Sequence, residues 1–388
     1  MRRLLVCLFT LALVSAACGD DGAQSTATTT TAVPETSTTT TAAPTTTAAP
    51  TTTTEAIPTL TAADLAAVGP YPVGVTTREL PTGNLVEIWY PAGPDAEGQT
   101  DTYSVRDFTP DVMRELVPEE TNDRVTVEAG RDASIAEDGP HPLVLFSHGS
   151  TSFRFQSTNL SHHLASWGMV VASADHPSRA LMNFLGGPED PPSSVDDVLA
   201  MLELVTTDAD LGPAIDADRV GVSGHSAGGG TTLAVAATGN FAGYVSYASG
   251  AFGDEPLPDM PSMFMAGEID TIVEPGRTRD AFDRAPSPSW FIEYELTGHL
   301  AFSDLCAVGD GSATLIGLAD AAGLGPLLND GIRRLGTDGC EEPNRPVTEV
   351  WPGIHQATTG FFRYVFGEDA EPLGVDSPAV LEVTTDSK

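Results

Sequence analysis

Residues 216–230 read DADRVGVSGHSAGGG, and this stretch decides the predicted fold. An apolar strand at 219–223 leads into Gly224-His225-Ser226-Ala227-Gly228, and a helix rich in small residues is expected over 227–237. A Gly-x-Ser-x-Gly sequence between a strand and a helix is typical of a tight turn that lifts the serine hydroxyl out of the sheet. The flanking glycines let the two backbones approach closely. These residues predict that Ser226 is a nucleophile.

Apolar runs alternate with helical patterns on both sides of this turn. Strands are predicted at 142–147, 169–174, 219–223, 241–247, 262–266 and 290–295, and helices at 156–167, 194–206, 227–237 and 355–366. An antiparallel pair at 74–79 and 85–90 precedes them. This order predicts an α/β fold of the α/β-hydrolase type, with a mostly parallel central sheet and helices on both faces. A helical insertion is expected at 303–350, before the last helix.

A serine hydroxyl needs a general base, and the base needs an acid that orients it. Asp270 follows the predicted strand at 262–266, and His299 follows the one at 290–295. Both are therefore expected at the sheet edge that carries Ser226, in the chain order serine, acid, histidine. We predict that His299 takes the proton of Ser226 and that Asp270 orients His299.

Other acids and histidines remain as alternatives. Glu268 and Asp254 are the rival acids, although Glu268 comes before the loop that carries Asp270. The rival bases are His148, His162, His163, His176, His225 and His355. Two of these histidines are expected within a helix, one beside the nucleophile and one at the start of the closing helix, so packing or surface roles are favoured for them.

The tetrahedral intermediate of acyl transfer needs backbone N–H donors. One predicted donor is Ala227, the residue after the nucleophile. The other is Ser150, in the loop after the strand at 142–147, with Thr151 as the alternative. His148 in the same loop is interpreted as a residue that shapes the loop rather than as a base.

Several further side chains invite a functional interpretation. Six apolar residues near the predicted site are candidates for an acyl pocket, with core packing as the alternative for each: Phe153, Met182, Phe184, Leu185, Phe252 and Phe302.

Asp196 and Asp197 are interpreted as favourable charge at a helix N-terminus. Because the sequence has no metal-ligand spacing, phosphate loop or dinucleotide motif, no cofactor and no metal are expected.

The N-terminal region is predicted to lie outside the fold. Residues 1–17 combine two arginines, a short apolar run and Ser15-Ala16-Ala17, and they resemble a bacterial lipoprotein signal that ends before Cys18. A plain secretory signal is the alternative. Residues 18–58 are rich in Thr, Ala and Pro and predict a disordered linker. The catalytic domain is then expected over 59–370 and a flexible tail over 371–388.

Charge and cysteine usage limit the partners and the compartment. The chain has 54 acidic and 18 basic residues, which argues against a nucleic-acid partner or a polyanionic substrate. Cys306 and Cys340 are predicted to form a disulfide, as an oxidising compartment would allow, with two buried thiols as the alternative. We expect an extracytoplasmic protein, lipid-anchored through Cys18 to the outer face of the cell membrane or secreted. No sequence feature assigns an oligomeric state.

Five segments together resemble a known superfamily. They read PLVLFSHG (142–149), LASWGMVVASADHP (164–177), DADRVGVSGHSAGGG (216–230), AGEIDTIV (266–273) and GHLAFSDL (298–305). They are similar to the dienelactone-hydrolase-like and platelet-activating-factor-acetylhydrolase-like α/β-hydrolases. The resemblance covers about residues 68–366 and implies cofactor-free hydrolysis of carboxylic esters by a serine. Dienelactone hydrolases proper carry a cysteine nucleophile, so lactone chemistry is not implied.

The expected function is hydrolysis of small or short-acyl carboxylic esters through an acyl-enzyme. A polyester or lipid hydrolase is the alternative, although Ala227 replaces the methionine usual after the serine of bacterial polyester hydrolases. An inactive binding lipoprotein and an acyl transferase are further alternatives, and the complete set of Ser226, Asp270 and His299 argues against the first of these.

Overall fold

The apolar runs of the sequence form a large mixed sheet in this computed structural model. The structure describes residues 60–104, 106, 123–180, 190–251, 253–307, 315–321, 323 and 325–388. The strands are β1 (Val73–Glu79), β2 (Leu85–Pro91), β3 (Asp101–Ser104), β4 (Asp123–Val127), β5 (Gly130–Arg131), β6 (His141–Ser147), β7 (Val170–Ala174), β8 (Ile215–His225), β9 (Gly243–Tyr247), β10 (Ser262–Gly267), β11 (Ser289–Tyr294) and β12 (Val383–Ser387). The helices are α1 (Thr158–Ser166), α2 (Ser194–Thr207), α3 (Ala227–Ala236), α4 (Pro275–Arg284), α5 (Leu315–Ala321), α6 (Asp330–Leu335) and α7 (Val347–Val365).

Ten of these strands form one sheet in the order β12-β11-β10-β9-β8-β6-β7-β2-β1-β5, while β3 and β4 pair separately. Six neighbouring strands at the centre of the sheet, β7, β6, β8, β9, β10 and β11, run parallel to one another. Antiparallel strands flank this centre, since β2 pairs with β7 and β12 pairs with β11. The predicted α/β-hydrolase architecture is thereby confirmed.

Both faces of the central strands are buried. In β6, Leu143 and Leu145 pack with side chains of α2, α3 and α4, whereas Val144 and Phe146 pack with side chains of α1 and α7. Because successive side chains of a strand point to opposite faces, a continuous apolar run needs cover on both sides. Parallel strands with helices on both faces provide that cover, and they bring all strand carboxyl ends to one edge.

Three parts of the fold differ from the sequence prediction. Residues 371–388 were expected as a flexible tail, but Val383–Ser387 form β12, which satisfies the free backbone groups of β11. The closing helix begins at Val347 rather than at residue 355 and contains Pro352. The helix Pro275–Arg284 was not predicted, because its apolar side chains are few and its exposed face is highly charged.

Residues 58–388 form one compact unit. No helix within the described ranges is long and apolar enough to cross a membrane. The predicted signal at 1–17, the predicted lipidation site Cys18 and the predicted linker at 18–58 lie outside the described residues.

Candidate active site

Ser226 occupies a strained turn between β8 and α3. Its backbone has φ 56° and ψ −121°, a region that a residue with a side chain rarely adopts. The turn is held because the Ser226 N–H donates to the carbonyl of Tyr247 at 2.9 Å. A Cβ at Gly228 would lie 1.9 Å from the carbonyl oxygen of Ser147, and one at Gly224 would lie 2.4 Å from the Gly228 oxygen. The glycines are therefore required by close backbone approach, as predicted.

Three side chains meet at the carboxyl edge of the sheet. His299 Nε2 lies 2.9 Å from Ser226 Oγ, and His299 Nδ1 lies 2.8 Å from Asp270 Oδ2. The other oxygen of Asp270 accepts the backbone N–H groups of Ile272 and Val273, each at 2.8 Å. Since an ionised carboxylate only accepts, Nδ1 carries the proton and Nε2 is free to accept the serine proton. The structure brings together the three residues selected from the sequence.

The rival acids lie elsewhere. The Glu268 carboxylate is exposed and accepts the backbone N–H of Leu296 at 2.9 Å. Asp254 is also exposed. Neither Glu268 nor Asp254 is the acid that bonds His299, because His299 Nδ1 already bonds Asp270.

Three of the rival histidines belong to the helical layer of α1 and α7. His162 Nε2 lies 2.9 Å from the carbonyl of Glu128, and His163 Nε2 lies 3.0 Å from that of Leu65. The His355 ring stacks on His163 with centroids 4.1 Å apart. His162 and His163 therefore hydrogen-bond backbone carbonyl groups, and His355 packs against His163.

The predicted oxyanion donors face the nucleophile from two elements. In the loop after β6, the N–H of Gly149 donates to Gln156 and the N–H of Thr151 donates to the carbonyl of Arg179. Within the described ranges, the Ser150 N–H between them has no acceptor. Ser150 lines a cavity together with Ser226 and Ala227, the first residue of α3. This arrangement favours Ser150 over Thr151 as a donor.

His148 shapes the loop that carries Ser150, the predicted oxyanion donor. Its Nδ1 lies 2.8 Å from the carbonyl oxygen of Gly149, and its Nε2 accepts the N–H of His176 at 3.0 Å. Burial lowers the pKa of His148 to about 3, so the ring is neutral and donates through Nδ1. Because this bond holds the carbonyl of the Gly149–Ser150 peptide, it directs the Ser150 N–H to the opposite side.

Asp197 lies in the first turn of α2, where favourable N-terminal charge was predicted, but its carboxyl group also has partners outside the helix. Its side chain is buried, lies 3.1 Å from His176 Nδ1 and accepts the Asn84 amide at 2.9 Å. Burial raises the pKa of Asp197 to about 7. Asp196 lies in the first turn of α2, where its backbone N–H donates to Oγ of the N-cap residue Ser193 at 3.1 Å. The difference arises because the start of α2 packs against the sheet, which sequence position alone does not show.

Two cavities have both Ser226 and Ser150 in their walls. The smaller, about 120 Å³, is mostly apolar. Its apolar wall is formed by Leu300, Leu305, Ile316, Leu328, Ile332 and Leu335, the last five from the insertion. The larger, about 630 Å³, is lined in part by Arg277, Asp280, Asp283 and Arg284 of α4. The site therefore offers a small apolar space and a larger space that has four charged side chains in its wall.

The two predicted acyl-pocket residues that the structure describes, Phe153 and Phe302, do not line these cavities. Phe153 packs in a cluster with Phe155, and Phe302 packs against Tyr247 and Tyr294. Core packing, the alternative for each, is what the structure shows for these two. Met182, Phe184, Leu185 and Phe252 lie outside the described residues.

The insertion also contributes a residue that sequence reasoning missed. Asp338 accepts the backbone N–H of His299 at 2.7 Å, which fixes the loop that carries the base. Two residues later, Cys340 pairs with Cys306 at an S–S distance of 2.05 Å. No local pattern marks Asp338, because it follows a short helix in an irregular segment.

Comparisons with known proteins agree with the fold. Residues 66–184 match the model of the family described as platelet-activating factor acetylhydrolase, isoform II. This segment includes the oxyanion loop and ends before Ser226. A ferulic acid esterase from Streptomyces cinnamoneus superposes with a TM-score of 0.60 over 81% of this chain and 96% of that one, at 21% sequence identity. No curated protein sequence matches the chain.

No group of three or more His, Cys, Asp or Glu side chains in the described part of the chain is placed to hold a metal ion. The site thus consists of a strained serine, a histidine and a carboxylate at the edge of a parallel sheet. The structural likeness shows that the chain has the α/β-hydrolase fold, and residues 66–184 are similar to platelet-activating factor acetylhydrolase, isoform II.

Proposed function

We propose that this protein hydrolyses carboxylic esters, with Ser226 as the nucleophile, His299 as the general base and Asp270 as the acid that orients it. The observation that carries the proposal is the continuous hydrogen-bonded row from Ser226 Oγ through His299 to Asp270, with distances of 2.9 and 2.8 Å. Nucleophile, base and orienting acid stand in the geometry that covalent ester hydrolysis requires.

In the first step, Ser226 Oγ forms a bond to the ester carbonyl carbon while His299 Nε2 takes the hydroxyl proton. The carbonyl oxygen becomes an anion, and we assign the backbone N–H groups of Ser150 and Ala227 as its donors. The intermediate collapses when the carbon–oxygen bond to the alcohol breaks, and the alcohol takes the proton from His299. Asp270 stabilises the imidazolium that exists between these two events.

In the second step, a water molecule gives its proton to His299 and attacks the acyl-enzyme. The same two N–H groups bind the second oxyanion, and Ser226 leaves with the proton returned by His299. The products are a carboxylic acid and an alcohol, and the enzyme is restored without a cofactor.

The cavities support a short acyl group. The apolar cavity of about 120 Å³ is smaller than the ~300–1,000 Å³ of typical drug-sized sites. We assign it to the acyl chain and assign the larger cavity of about 630 Å³, with the charged side chains of α4 in its wall, to the alcohol. The matched family is described as an acetylhydrolase, which agrees with a small acyl part.

We also propose that the protein acts outside the cytoplasm, tethered through a lipidated Cys18 by the linker at 18–58. The signal-like residues 1–17 and the pairing of Cys306 with Cys340 support this location. Replacing Cys18 by Ser should release the protein from the membrane fraction. A variant that stays membrane-bound would contradict the anchor.

The activity is tested with p-nitrophenyl acetate, butyrate, octanoate and palmitate, using the purified protein and its Ser226→Ala variant. The wild type should hydrolyse the acetate and butyrate best, and the variant should lose about 10⁴-fold or more of kcat. Glu268→Gln is the matched control, because this exposed carboxylate lies two residues before Asp270 and bonds the Leu296 N–H rather than His299. Equal turnover by wild type and Ser226→Ala would exclude the proposed nucleophile.

A further inference from the structure

A second row of hydrogen bonds runs beside the catalytic one and joins two loops across Ser226. The Gly149 N–H donates to Gln156 Oε1 at 2.6 Å. Gln156 Nε2 lies 3.1 Å from His225 Nδ1. His225 Nε2 lies 3.1 Å from the carbonyl oxygen of His299. The row therefore starts in the proposed oxyanion loop and ends on the backbone of the proposed base.

The chemistry of the two ends allows only one direction for this row. A backbone N–H can only donate, so the Gln156 oxygen faces Gly149 and its NH₂ group faces His225. His225 Nδ1 must then accept, which places the ring proton on Nε2. That proton is donated to the His299 carbonyl, which can only accept. The amide orientation and the histidine tautomer are thus both determined by their neighbours.

The row is sealed from solvent. Gln156, His225 and His299 are exposed by 1%, 2% and 0% respectively. A second proton on His225 would place Nδ1–H against the NH₂ group of Gln156. Burial and the neighbouring His299 also lower the pKa of His225 well below its usual value. The ring is therefore neutral, and its bonds are made in the low-dielectric interior, where an unmade bond is costly.

We infer that Gln156 and His225 are positioning residues, which set the placement of the oxyanion peptide relative to His299 on either side of Ser226. The oxyanion loop follows β6, whereas His299 follows β11, and no strand pairing connects these two loops directly. Neither side chain needs to touch the reacting atoms. This inference rests on the proposed roles of Ser226, His299 and the Ser150 N–H.

The test uses a fluorophosphonate, which reacts with Ser226 without ester turnover. The Oγ–phosphorus bond forms, fluoride leaves, and His299 takes the hydroxyl proton, so labelling depends on both the base and the oxyanion donors. Gln156→Met keeps the side-chain volume and removes both polar atoms. We expect its maximal labelling rate to fall about 10- to 100-fold, while the half-saturating concentration stays within about twofold.

His225→Gln provides the second arm, because its amide can still donate to the His299 carbonyl but offers Gln156 no matching ring nitrogen. Its maximal rate should fall about three- to tenfold. The double variant should be no more than about twofold slower than Gln156→Met, since that substitution already breaks the row. If Gln156→Met does not fold, His225→Gln alone decides, and an unchanged rate would overturn the inference.

Gln356→Met is the matched control. Gln356 is also buried, and its amide bonds the Gly374 carbonyl at 3.0 Å and the Ala379 N–H at 3.2 Å, away from the site. Its labelling rate should equal that of the wild type. A Gln156→Met rate within twofold of wild type, a change confined to half-saturation, or multiplicative effects in the double variant would each overturn the inference.

The outcome is separable from that of the proposed function. If the wild type takes the label but hydrolyses no ester, the proposed function fails. The labelling rates of the variants still test whether Gln156 and His225 are positioning residues. If ester hydrolysis depends on Ser226 but the variants label at the wild-type rate, the function stands and the positioning role fails.

Discussion

The carboxylate of Asp338 joins the loop of His299 to the loop of Asp270. One oxygen accepts the His299 N–H at 2.7 Å, and the other accepts the N–H of Thr271 at 3.2 Å and the Thr271 hydroxyl. The Asp338 carbonyl in turn accepts the N–H of Leu300 at 2.9 Å. A residue of the insertion therefore holds two members of the proposed triad in register.

Replacing Asp338 by Ala should lower kcat about 10- to 100-fold, because a displacement of about 1 Å at a catalytic group has effects of this size. Asp338→Asn keeps one acceptor oxygen and should stay within about fivefold of the wild type. Steady-state kinetics on p-nitrophenyl butyrate would measure both. Asp320→Ala is the control, since it removes only an exposed ion pair with Arg333 in the same insertion. An Asp338→Ala variant with the wild-type kcat would show that Asp338 is not needed to position His299 and Asp270.

The pairing of Cys306 with Cys340 closes a segment with a sequence separation of 34. Chain-entropy arguments assign about 4 kcal/mol to a crosslink of this loop length. Changing both cysteines to Ser should lower the free energy of unfolding by about 3–4 kcal/mol in urea titrations. Reductant should shift the wild type toward the variant and leave the variant unchanged. Coincident titrations of oxidised wild type and variant would show that no disulfide forms.

Gly228→Ala should disrupt the nucleophile turn. The added Cβ would lie 1.9 Å from the Ser147 oxygen, a backbone atom that cannot move without shifting β6. We expect a loss of at least about 3 kcal/mol in unfolding free energy. Gly276→Ala in α4 meets nothing within 4 Å and should instead stabilise the protein by up to about 1 kcal/mol. Equal stability of the two variants would refute the steric account.

Ile332→Ala should widen the small apolar cavity. If this cavity holds the acyl chain, kcat/KM for the octanoate should rise at least about tenfold relative to the butyrate, since each methylene in such a pocket carries ~1–3 kcal/mol. Arg334→Ala changes an exposed side chain of the same helix and should keep the wild-type profile. An unchanged chain-length profile in Ile332→Ala would assign the acyl chain elsewhere.

Buried histidines should make the protein less stable in mild acid. Burial lowers the pKa of His163 to about 4, and the stacked His355 also has a lowered pKa. As pH falls from 6.5 toward 4, His163 becomes protonated in the unfolded chain but stays neutral in the folded protein. Proton binding therefore favours the unfolded state, and the free energy of unfolding decreases in this pH window. The contribution is about 3 kcal/mol for His163.

The His163→Gln variant keeps a donor for the Leu65 carbonyl but does not titrate. Its unfolding free energy should therefore fall less than that of the wild type between neutral pH and pH values near 4. Denaturant titrations at several pH values would measure the difference. Parallel pH dependences would mean that His163 is protonated in the folded state.

The order of the strands and the position of Ser226 follow from local pattern. Continuous apolar runs of about six residues need burial on both faces, and the strand–turn–helix around Ser226 is specified by adjacent small residues. His299 and Asp270 were found because strand ends meet at one edge of a parallel sheet. The C-terminal strand Val383–Ser387 was missed, because an edge strand needs only a partner with free backbone groups and little apolar surface.

The sequence by itself therefore determined the fold class and the placement of Ser226, Asp270 and His299 at one edge of the sheet, since neighbouring residues and strand order suffice to specify these positions. Only the tertiary structure decided that Asp338 and His225 contact the backbone of His299, that Gln156 links His225 to Gly149, and that the insertion rather than Phe153 or Phe302 lines the small cavity. These contacts join segments far apart in the chain through irregular loops. The direction of a loop side chain depends on what packs against it, and no periodic pattern records that.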